Sequence, residues 1–219
     1  MGDWYMSRQL TSGVLGRKMS KFPQLMGTST DSSGSASTIH TISIPTEPQD
    51  GDVLVVIIRL ITDYTFSDLA GFTFLGGNSR DAVLYRVVSA PMDASYTIIT
   101  NESTRSVSIT YLIRGVDGVF LNGIIGSINP PEITPPWGDF KNMYIAWASS
   151  ARSDQDVINI PDNYINPIEI KSVPGLTAVA QRFLVSSHRL LQSAAENPSP
   201  YIITNIDFEG AGTIAIKGK

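Results

Sequence analysis

Short apolar runs and alternating apolar and polar positions dominate the chain from residue 38 onward. Gly, Pro, Asn and Asp interrupt them at close intervals, as in proteins built from many short strands. Residues 106–113 alternate most regularly, with apolar side chains on one face and small hydroxyl side chains on the other. The apolar face comprises Val107, Ile109, Tyr111 and Ile113, and the hydroxyl face comprises Ser106, Ser108 and Thr110. We expect this strand to pack on one side and to face water on the other.

Residues 53–60 form an apolar stretch that only Arg59 interrupts. A stretch that is apolar on both faces is typical of a strand in the middle of a sheet, with packing above and below it. Because one of its two alternating sets ends in Arg59, we expect the other set to point into the core. That set comprises Leu54, Val56, Ile58 and Leu60.

The same pattern predicts further strands at residues 38–44, 72–75, 82–88, 96–100, 143–149, 168–171, 201–204 and 213–217. Residues 176–195 also fit a helical face, and we interpret them as one long strand. Turns are expected at residues 50–52, 76–78, 93 and 117–118, where Asp, Gly or Asn favour a reversal. No repeat of fixed period appears, which argues against a propeller or a solenoid. The sequence therefore predicts an all-β fold, an antiparallel, jelly-roll-like β-sandwich of two layers.

Residues 1–37 do not follow the strand pattern. The first 27 residues carry four basic side chains against Asp3 alone, together with four methionines and three aromatic residues. Residues 27–37 are small and polar, as in a flexible linker. We therefore divide the chain into an extended N-terminal arm with its linker, residues 1–37, and a β-sandwich domain, residues 38–219.

Two roles for the arm remain open: a frayed terminus, or an anchor that becomes ordered when its Met and aromatic side chains dock on a partner. Four scattered basic residues are too few for a strong phosphate footprint, so we expect no nucleic-acid partner. The arm residues expected to contact a protein partner are Trp4, Tyr5, Met6, Arg17, Lys18 and Phe22.

Composition excludes several chemistries. The chain has 219 residues, 42% of them hydrophobic, a formal net charge of −4 and no cysteine. Without cysteine there are no thiol nucleophiles, thiolate zinc sites or iron–sulfur clusters. The chain begins without the apolar core of a secretory signal, and its apolar runs are too short to span a bilayer, so we expect no membrane insertion.

Candidate catalytic residues lack supporting motifs. His40 and His188 are the only histidines, and we interpret both as partly exposed structural residues. No nucleophile elbow, Walker A loop or dinucleotide fingerprint is present. The acids that coincide with predicted turns are Asp50, Asp52, Asp93, Asp117 and Asp162. We therefore predict a non-enzymatic protein without a cofactor.

Two loops remain candidates for ligand binding. Asp154, Asp156 and the nearby Asn159 and Asp162 offer oxygen ligands for Ca²⁺, but they lack the order of an EF-hand, and we interpret them as a solvated acidic loop. Trp137 follows the proline-rich stretch 130–136, which would hold its ring at low entropic cost. The ring either caps the end of the sandwich, contacts a protein partner or binds a sugar.

Several segments together resemble β-sandwich domains of bacteriophage tail and fibre proteins. These segments are GDVLVV at 51–56, LAGFTFLGG at 69–77, AVLYRVVSAPMDASYTIIT at 82–100, SVSITYLIRGVDG at 106–118 and GTIAIKG at 212–218. The chain departs from that family at Phe72, where the family commonly has Trp, and residues 122–174 match only loosely.

The resemblance implies a structural role in the virion, as a tail or fibre component with other virion proteins and copies of itself as partners. A capsid decoration protein, or a carbohydrate-binding adhesin module that contacts a host-surface glycan, is the alternative. The resembling motifs encode turns and core strands, so the resemblance implies no catalytic residue.

Overall fold

The computed structural model describes residues 20–125, 127, 129–151, 156–172, 182–204 and 208–219. Within them the chain forms antiparallel strands and no helix that could cross a membrane. The strands of the first half are β1 Gln24–Ser32, β2 Ser37–Ser43, β3 Val53–Leu60, β4 Phe66–Asp68, β5 Thr73–Gly77, β6 Asp81–Val87, β7 Ser95–Thr104 and β8 Ser106–Arg114. Those of the second half are β9 Val116–Ile125, β10 Phe140–Ser150, β11 Val157–Asn159, β12 Ile165–Lys171, β13 Phe183–Ser193, β14 Ile202–Ile203 and β15 Phe208–Gly218.

Two five-stranded sheets form the centre of the molecule. The N-sheet has the strand order β1-β8-β3-β6-β5, and the C-sheet has the order β12-β13-β10-β15-β9. The three-stranded sheet β2-β7-β4, here called the N-cover, packs on the outer face of the N-sheet. The pair β11-β14 and the neighbouring loops form the C-cover on the outer face of the C-sheet.

The N-sheet and C-sheet pack face to face over a shared central core. Its largest fully buried side chains are Trp147 and Tyr111. A second apolar cluster lies between the N-sheet and the N-cover, and a third lies under the C-cover. Each five-stranded sheet is therefore apolar on both faces, which is why the stack has four layers and not the two that we expected.

Strand β3 confirms the prediction of a central strand that is buried on both faces. Its odd-numbered positions Val53, Val55 and Ile57 contact the central core. The predicted inward set, which runs from Leu54 to Leu60, packs instead against the N-cover. Both sets are core because the sheet has a packed layer on each side.

Strand β8 corrects the expectation of a wet face. Its apolar set packs in the central core as predicted, but the hydroxyl set is buried as well. Ser108 is 2% exposed and Thr110 is not exposed. The N-cover lies over this face, and hydrophobic periodicity could not reveal it because short hydroxyl side chains fit under a sheet as well as they fit in water.

The two halves of the chain repeat one strand arrangement. Read from its other edge, the C-sheet has the order β9-β15-β10-β13-β12, which matches β1-β8-β3-β6-β5 strand for strand. In the covers, β4 pairs with β7 as β11 pairs with β14, and the Ile133–Glu196 bridge corresponds to the β2–β7 pairing. Both halves thus share the strand order of a jelly roll, and the predicted jelly-roll-like sandwich is confirmed.

The sheet edges meet in the order that a two-fold rotation would produce, with β1 beside β12 and β5 beside β9. The duplication leaves no fixed repeat in the sequence, because the halves share strand order and apolar alternation and not particular residues.

The flexible-linker interpretation is wrong for the residues that form β1. This strand pairs with β8 from Gln24↔Arg114 to Ser32↔Val107. Its Ser, Thr and Gly residues have little apolar signal, so pairing with a long buried neighbour and not local propensity makes it a strand. The sheet therefore begins upstream of residue 38.

The turn expected at residues 117–118 is also wrong. The chain reverses at Gly115, whose φ of 75° lies in the left-handed region that glycine adopts without strain. Asp117 and Gly118 then belong to β9, which carries the chain from the N-sheet into the C-sheet. The short strands β4 and β11 were not predicted either.

We predict that Gly212→Ala destabilises the fold. An alanine methyl at this position would lie 2.5 Å from Trp147 Nε1, and the indole is fully buried, so it has no free space to move into. The expected loss is about 1–3 kcal/mol in the free energy of unfolding, measured with urea. Gly118→Ala is the matched control, because its added methyl makes only an ordinary 3.5 Å contact with Trp137. Equal stability of both variants would contradict the packing argument.

Candidate functional site

A groove of about 610 Å³ lies at one pole of the central core, where the chain enters the N-sheet. The N-terminal wall is formed by residues 20–25, and the opposite wall by β10 and β13. The side chains that line it from the two strands are Lys141, Met143, His188 and Leu190. The lining is mainly apolar, with two lysine ammonium groups at Lys21 and Lys141.

The two ends of the described chain meet beside this groove. The backbone N–H of Lys21 donates to the carbonyl of Lys219 at 2.5 Å, and the N–H of Lys219 donates to Gly115. Gly218 allows the approach, because a Cβ at this position would collide with the Lys21 carbonyl. Ser20, where the described chain begins, also lies at this pole.

Phe22 is the predicted arm residue that the structure describes. Its half-buried ring lies 5.6 Å from Lys141 Nζ, a cation–π contact within the same chain. Pro23 beside it is buried, and Leu25 packs against the central core. The other predicted arm residues, Trp4, Tyr5, Met6, Arg17 and Lys18, lie outside the described residues.

His188 forms part of the groove wall and is buried, so the expected partial exposure is wrong. Its side chain meets the ring of Tyr111 edge-on, with 6.5 Å between ring centroids. Its Nδ1 is buried and has no hydrogen-bond partner among the described residues. Burial lowers the pKa of His188, so the neutral form is favoured in the folded protein.

His40 is also buried, contrary to expectation, and both ring nitrogens have hydroxyl partners. Nδ1 lies 3.0 Å from Ser106 Oγ, and Nε2 lies 3.1 Å from Thr100 Oγ1. In a serine hydrolase the second ring nitrogen would bind a carboxylate that orients the imidazole. Here a threonine takes that position, and the arrangement joins the N-cover to the N-sheet.

Trp137 is half-buried against the C-sheet. Its Nε1 donates to Asn142 Oδ1 at 3.0 Å, and its ring meets Phe120 edge-on. The preceding proline-rich segment is fixed by the Ile133–Glu196 bridge. This geometry gives Trp137 a packing role at the edge of the third apolar cluster, while a contact with a protein or a sugar stays a prediction.

Two of the acidic residues considered for catalysis, Asp52 and Asp117, form structural ion pairs. Asp52 is buried and accepts two hydrogen bonds from Arg114, at 2.9 and 2.8 Å. Burial by itself would raise the pKa of Asp52, but the hydrogen bonds from Arg114 and from the Gln49 N–H bring it below the ordinary value. Asp117 pairs with Lys217.

The proposed oxygen-ligand loop is only partly described. Asp156 pairs with Lys171 Nζ at 2.9 Å, and Asp154 lies outside the described residues. Within the described part of the chain, no group of three His, Asp or Glu side chains is arranged to hold a metal ion.

A buried ion pair at the opposite pole was missed by the sequence analysis. Arg59 Nη1 lies 2.6 Å from Asp81 Oδ2, and both side chains are almost fully buried. Asn78 Nδ2 also donates to Asp81, at 3.0 Å. The signal was a charged residue inside an apolar strand, which requires a buried partner. The partner could not be chosen, because strand pairing and not sequence proximity brings Asp81 to Arg59.

No family model, curated protein or solved structure matches this chain.

We predict that stability falls as the pH drops through about 6.5. Burial lowers the pKa of both histidines in the folded state, so below the ordinary value of 6.5 the unfolded chain binds protons that the folded chain does not. Each histidine then contributes a loss of up to about 1.4 kcal/mol per pH unit.

Urea unfolding between pH 7.5 and 5.5 measures this dependence. In the His188→Gln variant, the decrease should be less steep than in the parent protein, because only one histidine remains. Groups other than His188 cancel in the difference between the two slopes, which therefore measures the contribution of His188. An unchanged pH dependence in the variant would show that His188 is not held in its neutral form.

Proposed function

We propose that this chain is a non-enzymatic structural protein of a bacteriophage virion, where it serves as a tail or fibre component anchored by its N-terminal arm. The proposed partners are other virion proteins and copies of the chain itself. The observation that carries the proposal is that Ser20, where residues 1–19 join the described chain, lies at one pole beside an apolar groove.

The position of Ser20 at one pole of the molecule suits an anchored subunit. Residues 1–19 join the described chain at Ser20, at the end of the central core, so attachment through them need not disturb either cover. Residues 20–23 connect the first 19 residues to β1, which is paired along its length with β8. A pull on the arm is therefore shared by a ladder of backbone hydrogen bonds.

The composition of the arm supports attachment through apolar contacts. Residues 1–19 contain three methionines together with Trp4 and Tyr5. Burial of such side chains contributes about 25 cal/mol per Å², so an area of a few hundred Å² gives a useful but modest affinity. Repetition of the contact around a symmetric particle would multiply that affinity through avidity.

Three buried polar side chains, those of His40, Asp52 and Asp81, support a structural role over a catalytic one. His40 is hydrogen-bonded to two hydroxyl groups. Asp52 forms an ion pair with Arg114, and Asp81 forms one with Arg59. Each group is used to join strands or layers. Their partners leave them poorly placed to receive a substrate.

A capsid decoration protein is the second candidate, because both halves have jelly-roll strand order. Jelly rolls are common in viral capsid domains as well as in lectins. Both candidates need an anchor and a stable β-body, and they differ in where the subunit lies on the particle.

Location on the particle distinguishes the candidates. Gold-labelled antibodies against the purified chain, applied to intact particles, should label the tail or its fibres if the first proposal is right. Labelling spread over the head would favour the decoration role. Absence of the chain from purified particles would refute both.

Deletion of residues 1–19 tests the anchor. We predict that the truncated chain folds with unchanged thermal stability, because β1 and the Lys21–Lys219 hydrogen bond are retained. It should be lost from purified particles, as measured by quantitative mass spectrometry. The control is an Arg17→Gln/Lys18→Gln variant, which alters charge but keeps the apolar side chains. Normal incorporation of the truncated chain would contradict the anchor.

A further inference from the structure

The outer edges of the two five-stranded sheets differ in how they are protected. An outer strand presents unpaired backbone groups, and proteins usually block such an edge with proline, charged side chains, bulges or a covering loop. Four strands are outermost in these sheets: β1 and β5 in the N-sheet, and β9 and β12 in the C-sheet.

Three of the four edges are blocked. Strand β12 contains Pro167 and a register irregularity, and Glu169 pairs with Lys171 at its end. Strand β5 has only five residues and an irregularity between Phe74 and Gly76. Strand β9 has two irregularities in its pairing with β15, and the Asn122 side chain donates to the carbonyl of Glu132.

In strand β1, no described strand pairs with the outer edge between Thr28 and Ser32. Strand β1 contains no proline and no lysine, and its only irregularity lies between Leu25 and Gly27. From Thr28 to Ser32 it pairs regularly with β8. Threonine in this stretch favours an extended backbone.

The backbone direction in this stretch follows from a neighbouring hydrogen bond. The N–H of Ser33 donates to the carbonyl of Ser106 at 3.0 Å, so odd-numbered residues point their N–H groups toward β8. The even-numbered residues Thr28, Thr30 and Ser32 consequently direct N–H and C=O groups away from the sheet. All three are exposed, and their outward groups have no backbone partner among the described residues.

We propose that this edge pairs with β1 of a second copy of the chain, antiparallel, with Thr30 opposite Thr30 of that copy. In this register Thr28 of each copy lies opposite Ser32 of the other. Two hydrogen bonds then form at each of three residue pairs. The two N-sheets become one continuous ten-stranded sheet. A register shifted toward the start of β1 would run into the irregularity at Leu25/Gly27 and lose this regularity.

The side chains of β1 are compatible with self-pairing. Asp31 is the only charged residue of the strand, and its carboxylate accepts hydrogen bonds from the N–H and Oγ of Ser43. In the proposed register Asp31 lies opposite Ser29 of the other copy. No like charges face each other, so nothing in the strand opposes the pair electrostatically.

The antiparallel pair also has a geometric consequence. Ser20 and the start of β1 lie at the same pole of each copy, so in the antiparallel pair the two Ser20 residues lie toward opposite ends of the shared sheet. One pair therefore offers two attachment points at its two ends. This inference depends on the strand edge alone and stands whether or not the chain belongs to a virion.

A proline substitution tests the edge without breaking the sheet. Thr30→Pro removes an outward N–H and leaves the β1–β8 ladder intact, because proline is tolerated in edge strands where its nitrogen faces solvent. Thr30→Ala is the matched control, since it removes the side chain but keeps the N–H. Sedimentation should show a concentration-dependent dimer for the parent chain and for Thr30→Ala. The dissociation constant of Thr30→Pro should be higher by about tenfold or more.

Amide exchange of the unmodified chain provides a test that needs no variant. The amides of Thr28, Thr30 and Ser32 should become protected as the protein concentration rises, while those of Ser29 and Asp31 are protected throughout. A chain that stays monomeric, or a dimer that Thr30→Pro leaves intact, would overturn the proposal. A third result would also overturn it: outward amides that are protected at every protein concentration and lose this protection when residues 1–19 are deleted. The arm, and not a second copy, would then occupy the edge.

Discussion

The structure depends on apolar burial between its two five-stranded sheets. The inner face of each sheet is mainly apolar, so its exposure to water would be unfavourable. Each sheet buries the inner face of the other. Val55, Ile57 and Tyr111 on one side meet Ile145 and Trp147 on the other. A buried hydrogen bond between the hydroxyl groups of Tyr111 and Ser186 also crosses this layer, at 2.7 Å. The two jelly-roll halves are thus joined through a common core and not through a linker.

The burial of the sheet faces limits where the two central sheets can contact a partner. Both outer faces of the pair of five-stranded sheets are covered, so among the described residues these two sheets offer a partner only their poles and their strand edges. At one pole, the backbone of Lys21 is hydrogen-bonded to that of Lys219 beside the apolar groove. The other buries the Arg59–Asp81 ion pair. An assembly role through an arm and a strand edge is consistent with two central sheets that are covered on both faces.

The sequence correctly predicted the strands whose apolar pattern agrees with their burial in the fold. Strand β3 is apolar on both faces and is buried on both, and its predicted bounds of 53–60 are those observed. Strand β1 was missed because its Ser, Thr and Gly residues have no apolar period, and only pairing with β8 makes them a strand. Of the predicted arm, Phe22 could be placed, and it packs on its own chain. The groove needed the fold, because its wall joins Phe22 to His188 across distant strands.

Denaturant-dependent hydrogen exchange tests the shared core most directly. If both halves depend on it, the slowest amides of β3 and of β10 should open with the same free energy and the same dependence on denaturant, since neither half can unfold while the other keeps its structure. Two distinct opening free energies, with one half still protected after the other has exchanged, would show that each jelly roll is stable by itself and would contradict the account.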